Sequence, residues 1–255
     1  MHQALVQLHQ PADLDHAEMA RERLTFDEAF LLQSLLVMRR NQLKKLNSTS
    51  RKRVSGGLLD AFDKSLPFEL TAGQIAVCKE IESDLGQPHP MHRLLQGEVG
   101  SGKTIVALRA MLAVVDSGGQ AALLAPTEVL AAQHLRTIQR QLGELAQGGM
   151  LGGADIGTQV TLITGSQTAQ ARREALAMAA DGTAGIVIGT HALLGESVVF
   201  KDLGLIVVDE QHRFGVEQRD ALKEKAILPP HLLVMTATPI PRTVAMTVFG
   251  DLDVS

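Results

Sequence analysis

The chain has 255 residues, enough for one or two domains, and a hydrophobic share of 45% that can fill a sizeable core. A net charge of −4 excludes a globally basic protein that coats nucleic acid, while leaving room for a local basic patch; with no Trp, no Tyr and seven Phe, aromatic base-stacking platforms are a poor default. The one cysteine, Cys78, excludes an intramolecular disulfide and lies in an apolar helical run, the usual setting of a small buried hydrophobe.

No run approaches the ~20 apolar residues of a membrane span. The opening MHQALVQLHQPADLDH lacks a basic-then-apolar signal pattern, so the expectation is a cytoplasmic protein with no membrane partner. The closing FGDLDVS carries no turn or cap signal, which suggests a piece of a longer chain.

In chain order, Thr25 and Glu28 form a T-x-x-E capping box that predicts a helix. Its apolar residues fall on two sides: Leu24, Leu31, Leu35 and Met38 on one, Phe26, Phe30 and Val37 on another. A helix apolar on more than one side is expected to be wedged between partners. Arg39, Arg40, Lys44, Lys45, Arg51, Lys52 and Arg53 follow with no acid among them. They read either as a solvated helix end or as a phosphate-contacting patch. NSTSRKRVSGG reads as a loop. Residues 1–65 are taken as a helical linker and 66–255 as a second, sheet-containing domain.

From residue 66 short apolar runs alternate with helical stretches. The runs are 93–96, 121–125, 159–163, 185–189, 205–209 and 231–236; the helices lie near 72–84, 103–117, 127–146 and 167–181. The runs are continuous rather than alternating, as in strands covered on both faces. The expected fold is α/β, a mostly parallel sheet with helices on both faces. Residues 148–157 are glycine-rich and read as a mobile surface loop.

Residues 97–104, GEVGSGKT, match G-x-x-x-x-G-K-[ST] between an apolar strand and a helix. Backbone that wraps a polyphosphate must point successive N–H groups inward, and side chains would block that approach. This explains Gly97, Gly100 and Gly102, with Glu98, Val99 and Ser101 supplying backbone. The helix N-terminus attracts the anion. Lys103 suits the β- and γ-phosphates of ATP, and the Thr104 hydroxyl suits Mg²⁺. LIVVDEQH, residues 205–212, ends a strand in two acids. Asp209 suits the Mg²⁺ shell and Glu210 the activation of water. Upstream, Phe68 and Gln74 precede the first helix of the sheet. Glutamine both donates and accepts, as adenine requires. Thr71 reads equally well as a helix cap.

GEVGSGKT, DEQH and MTATPIPRT in this order resemble the first motor domain of superfamily 2 helicases, a RecA-like P-loop NTPase. VVDEQHRFGVEQR, TATPIPRT and VFGDLDVS are similar to the RecG family of ATP-dependent DNA helicases and to the related transcription-repair coupling factors, and QLHQPADLDHAEMARERLTFDEAFLLQ resembles the RecG segment joining wedge domain to motor, so the RecG resemblance covers nearly the whole chain. The resemblance implies that Phe68 and Gln74 read adenine. It implies that Pro126, Thr127, Glu128, Thr164, Gly165, Ser166, Gly189, Thr190 and His191 touch the DNA backbone. It also implies that Gln211, His212, Thr236, Ala237 and Thr238 couple the γ-phosphate to DNA grip. Thr127 and Thr190 also read as helix caps. The implied partners are branched DNA, as stalled forks and Holliday junctions, with a second motor lobe and a wedge domain absent from this chain. The chain alone is then expected to bind nucleotide, hydrolyse little and unwind nothing. A transcription-repair translocase lobe and a non-hydrolysing nucleotide-binding module are the alternatives; a small-molecule kinase would need a lid and acceptor site that the sequence does not show.

Overall fold

The computed structural model describes residues 2–148, 156–209, 221–237 and 252–255. The chain forms two compact units, a first that takes in the N-terminal residues up to Lys44 and a second that starts at Lys45 and holds the sheet.

In the first unit α1 (His2–His9) packs on α2 (Leu14–Leu43). The start of α2 is set by Asp13, whose carboxylate accepts the His16 N–H at 2.8 Å. The helix therefore begins well before the T-x-x-E box. Thr25 lies inside it, and its hydroxyl donates to the Arg21 carbonyl at 2.9 Å. A threonine satisfied on the preceding turn needs no cap role. Phe26, Phe30, Leu31, Leu35 and Met38 are exposed on α2. Phe26 and Phe30 stack with centroids 6.0 Å apart, and the Arg23 guanidinium lies 5.6 Å from the Phe26 centroid.

The second unit begins with a strap, residues 47–53, tied by its backbone to the turn after the next long helix. The Ser48 N–H donates to the Pro88 carbonyl at 2.9 Å and the Arg51 N–H to the Leu85 carbonyl at 2.7 Å. Arg51 is buried and donates to both carboxylate oxygens of Asp202 at 2.7 Å. Gly119 and Gly204 make room for it: a Cβ there would lie 2.8 Å from the Arg51 Cζ and 2.9 Å from its Nε. Arg53 pairs with Asp60, Asp63 and Glu82. These two arginines of the basic run thus serve internal acids rather than phosphate. Helix α3 (Leu58–Ser65) buries Leu58, Leu59 and Phe62. The Asp116 carboxylate caps it, accepting the Leu58 and Leu59 N–H groups at 2.6 and 2.9 Å. Residues 45–65 thereby join the sheet unit, which starts at Lys45 and not at 66.

The remaining elements are α4 (Ala72–Leu85), β1 (His92–Gln96), α5 (Lys103–Asp116), β2 (Gln120–Leu124), α6 (Glu128–Leu142), β3 (Gln159–Ile163), α7 (Ala169–Asp181), β4 (Ala184–Gly189), β5 (Leu203–Asp209), β6 (His231–Thr236) and β7 (Asp253–Val254). Among the described residues the strands form one sheet in the order β3-β4-β2-β5-β6-β1-β7, and every pairing is parallel. All six residues of β4 and of β6 are buried. Alternate residues point to opposite faces, so complete burial means both faces are covered. This is the α/β architecture expected from the apolar runs, and it agrees with the RecA-like fold that the resemblance implies.

Every residue of α5 from Ile105 to Val114 is buried. A helix apolar all round belongs in a core, and α5 packs on α3 and α4 as well as on β2 and β5. Arg109 is the charged residue in this stretch; it pairs with Asp63 and Glu82. Cys78 is buried on α4, and burial pushes its thiol up to about 11, which leaves it an inert packing group.

Helix α6 ends at Leu142 rather than 146, because Gly143 turns out of it at φ 54° into a short 3-10 turn. The glycine-rich excursion that follows is pinched at its neck. The Thr158 N–H donates to the Leu145 carbonyl at 2.8 Å, and a Cβ on Gly148 would lie 2.2 Å from the Gly157 carbonyl carbon. Residues 149–155 lie outside the described residues.

His231 starts β6 and is fully buried. Its Nδ1 accepts the Met91 N–H at 3.0 Å, which leaves Nε2–H to donate to the Thr49 carbonyl at 3.1 Å. Burial holds its pKa down at about 4, against an ordinary 6.5. Between those values the unfolded chain binds the extra proton. The contribution to stability is whole above pH 6.5 and is lost as pH falls toward 4, roughly 3 kcal/mol in all. Thermal unfolding followed from pH 7.5 to 4.5 should show this slope, and His231→Gln should flatten it. Equal slopes in the two proteins would contradict the assignment.

Candidate nucleotide and nucleic-acid site

Since the sheet is parallel, all carboxyl strand ends lie on one edge, where open α/β sheets bind ligands. Most of the described residues proposed from sequence for nucleotide, magnesium or strand contact follow or end strands on that edge. Read along the sheet, Thr164–Ser166 follow β3, Thr190 and His191 follow β4, and Pro126–Glu128 follow β2. Asp209 then ends β5, Thr236 ends β6, and the glycine loop follows β1. Glu210, Gln211, His212 and Thr238 lie outside the described residues.

The glycine loop has the shape its composition requires. Gly100 and Gly102 adopt φ 85° and 84°, a left-handed conformation that side chains disfavour. At Gly97 a Cβ would lie 2.6 Å from Ser101 Oγ, and at Gly102 2.4 Å from Gln74 Nε2. Gly102 opens α5, with the Ile105 N–H donating to its carbonyl at 3.0 Å. Lys103 Nζ donates to the Gly97 and Glu98 carbonyls at 2.6 and 2.8 Å. Thr104 is half-buried in the first turn of α5.

Gln74 does two jobs here. With Thr71 it makes a complete capping box at the start of α4. Its Nε2 also donates to the Ser101 carbonyl at 2.9 Å, fastening α4 to the loop. Two clefts lie near this helix start. One, about 270 Å³, is lined by Gln74, Gly97, Ser101 and Lys103. The other, about 610 Å³, is lined by half-exposed Phe68 with Leu66, Ile75 and Arg109.

Asp209 does not adjoin the loop. Strand β6 lies between β5 and β1, so the two strand axes are about 10 Å apart. Thr236 fills the interval. It is level with Gln96 across the β1–β6 pair, and its carbonyl accepts the Gly97 N–H at 3.4 Å. Ala237 follows it, half-buried. The Asp209 carboxylate accepts a hydrogen bond from His134 Nε2 of α6 at 2.7 Å, with both side chains largely buried.

At the other end of the edge, the Glu128 carboxylate accepts the Gly165 N–H at 2.8 Å, the Ser166 N–H at 3.1 Å and the Ser166 hydroxyl. The serine hydroxyl, before all else, holds its pKa below the ordinary value. Glu128 thus shapes the turn after β3. Thr127 caps α6 through the Leu130 N–H at 3.3 Å. Thr190 is 1% exposed, caps nothing through its side chain, and its hydroxyl has no partner among the described residues. Gly189 is packed so closely that a Cβ would lie 2.3 Å from the Ile163 carbonyl oxygen.

Sequence reasoning missed His134. The signal was present: Ala131, Ile138 and Leu142 form the buried stripe of α6, and His134 falls on it. A ring nitrogen on such a stripe needs a buried partner.

Residues 71–247 match the family model for DEAD/DEAH box helicases. The chain belongs to the DEAD/DEAH box helicase family. This family member is 58% identical to the ATP-dependent DNA helicase RecG of Mycobacterium bovis, over 99% of this chain and 35% of that protein. To RecG of Bacillus subtilis it is 44% identical, over 100% of this chain and 36% of that protein. The solved structure of RecG bound to a three-way DNA junction superposes with a TM-score of 0.81 at 39% identity, covering 98% of this chain and 32% of that one. The chain thus spans about a third of the length of these relatives. Yeast Dbp5, at 19% identity and TM-score 0.55 over 77% of this chain and 51% of that one, shares the fold. Among the described residues no helix is long and apolar enough to cross a membrane.

Gly102 and Gly118 separate two effects of a methyl group. Both have φ near 84°, yet a Cβ on Gly118 meets nothing within 4 Å. Substitution of either by Ala should cost roughly 1–2 kcal/mol in thermal unfolding. Only Gly102→Ala should also lose binding of a fluorescent ATP analogue. Equal nucleotide affinity in the two variants would show that the loop does not form the site.

Proposed function

We propose that the chain is the ATP-binding motor lobe of a RecG-type translocase, which remodels stalled forks and Holliday junctions in DNA repair and recombination. The observation that carries the reading is the layout of one sheet edge. A glycine phosphate loop stands at one end, a bonded Glu128–Gly165–Ser166 cluster at the other, and Asp209 and Thr236 between. The 58% identity to a protein named as an ATP-dependent DNA helicase supports it.

The residues present fit a magnesium nucleotide. Side chains at Gly97 or Gly102 would collide with Ser101 or Gln74, so the tight loop admits only glycine there. The donor set is hard and oxygen-rich, a Thr104 hydroxyl and the Asp209 carboxylate. Bound magnesium supplies charge neutralisation at the phosphates. Lys103 exchanges its loop carbonyls for phosphate oxygens, and Glu210 orients the attacking water. Phe68 and Ile75 receive the base, and Gln74 reads its edge while remaining tied to the loop. Gln211, His212, Thr236, Ala237 and Thr238 relay the state of the phosphate to the strand-contacting turns. Pro126, Thr127, Gly165, Ser166 and His191 meet the DNA backbone, with Glu128 holding the turn in shape; Thr164, Gly189 and Thr190 are buried and support these turns from beneath. Arginines of a second lobe would complete the hydrolytic site, a contribution of ~10³–10⁵ in rate in such enzymes.

In the full-length protein Lys103→Ala should abolish ATP-dependent regression of a synthetic fork, and Glu210→Gln should keep ATP binding while blocking turnover. Retained regression in either variant would reassign the site. The 255-residue chain alone should bind nucleotide and turn over little. DNA-stimulated hydrolysis by this chain at ~10 s⁻¹, a typical enzyme rate, would contradict the need for a second lobe.

A further inference from the structure

Helix α6 reaches both halves of the edge. Its first residue, Glu128, holds the turn after β3 through the Gly165 and Ser166 amides. Less than two turns later His134 touches Asp209 at 2.7 Å. The carboxylate can only accept, so Nε2–H of the imidazole donates. The side chains are 13% and 17% exposed, which limits competition from water. The backbone around the contact is rigid. Asp209 ends a strand paired on both sides, with β2 and β6, and Ala131 and Ile138 anchor α6 one turn either way. The hydrogen bond therefore fixes the carboxylate's rotamer from behind rather than lying on a mobile surface.

We infer that His134 is a positioning residue for the magnesium nucleotide: it fixes the Asp209 carboxylate and joins the nucleotide half of the edge to the Glu128 turn through one helix. The inference rests on the assignment of Asp209 as the magnesium acid proposed above. A carboxylate ligand held by an outer hydrogen bond is already oriented when the cation arrives. Loss of such partners typically weakens metal affinity 10–100-fold. His134 touches neither nucleotide nor reacting atoms in this reading, so it should leave metal-free ATP binding alone.

The test is a fluorescent ATP analogue titrated into the 255-residue chain, once in EDTA and once over a range of Mg²⁺, with no hydrolysis read. Wild type should bind in EDTA and tighten with Mg²⁺; failure of either overturns the nucleotide site itself, not only the role of His134. His134→Leu keeps the packing and removes the donor. It should match wild type in EDTA and need about ten-fold more Mg²⁺ for the same tightening. His134→Gln restores a donor and should recover part of that loss. Wild-type Mg²⁺ dependence in the leucine variant would overturn the inference. Should that variant not fold, ¹⁵N spectra of the wild-type imidazoles decide. The His134 Nε2 resonance should move when Mg²⁺ joins ATP and stay put with ATP in EDTA; no Mg²⁺-dependent movement would overturn the inference equally.

Discussion

A phosphate loop works only if its backbone keeps an awkward shape, and here the helix it opens enforces that shape. From Ile105 to Val114 every residue of α5 is buried, so the helix cannot rotate or slide without opening the core. Its N-terminus is fixed in space, and Gly102 must turn into it with φ 84°. Gln74 then fastens the loop from the side through the Ser101 carbonyl. The loop's precision is thus borrowed from apolar packing that touches no ligand.

The second constraint is the sheet order. Placing β6 between β1 and β5 separates the loop from Asp209 by a strand's width on each side. On the proposed reading that interval receives the end of a polyphosphate with its cation; Thr236 stands level with Gln96 there. The same edge continues through β2 and β4 to β3, where the proposed strand contacts lie. One rigid edge therefore holds both halves, and α6 spans the boundary between them.

Much of the fold was legible because buried parallel strands write themselves as continuous apolar runs. The runs at 159–163 and 231–236 coincide with β3 and β6. The glycine loop was legible for the same kind of reason, since a tight backbone admits few residue types. The N-terminal region was misread where a local signal competed with a better one. Thr25 resembles a cap, yet Asp13 sets the helix start, and only the three-dimensional contact with His16 decides. The role of the strap stayed open because Arg51 finds its acid far along the chain, at Asp202, while Arg53 joins nearby Asp60 and Asp63 to more distant Glu82. Long-range pairing leaves no local trace. That a strand stands between Asp209 and the loop was not legible, because strand order is not sequence order. His134 lay hidden as an ordinary helix residue until its stripe was seen to be buried.

The central claim is that one cation bridges Thr104 and Asp209 across the end of β6. Crystals of the chain grown with Mn²⁺ and a non-hydrolysable ATP analogue test it directly through the anomalous signal of the metal. The account predicts a single strong peak at the phosphates, reached by the Thr104 hydroxyl and by the Asp209 carboxylate directly or through one water. A peak bound by the analogue with Asp209 turned away from it, or a metal site elsewhere on the sheet edge, would contradict it.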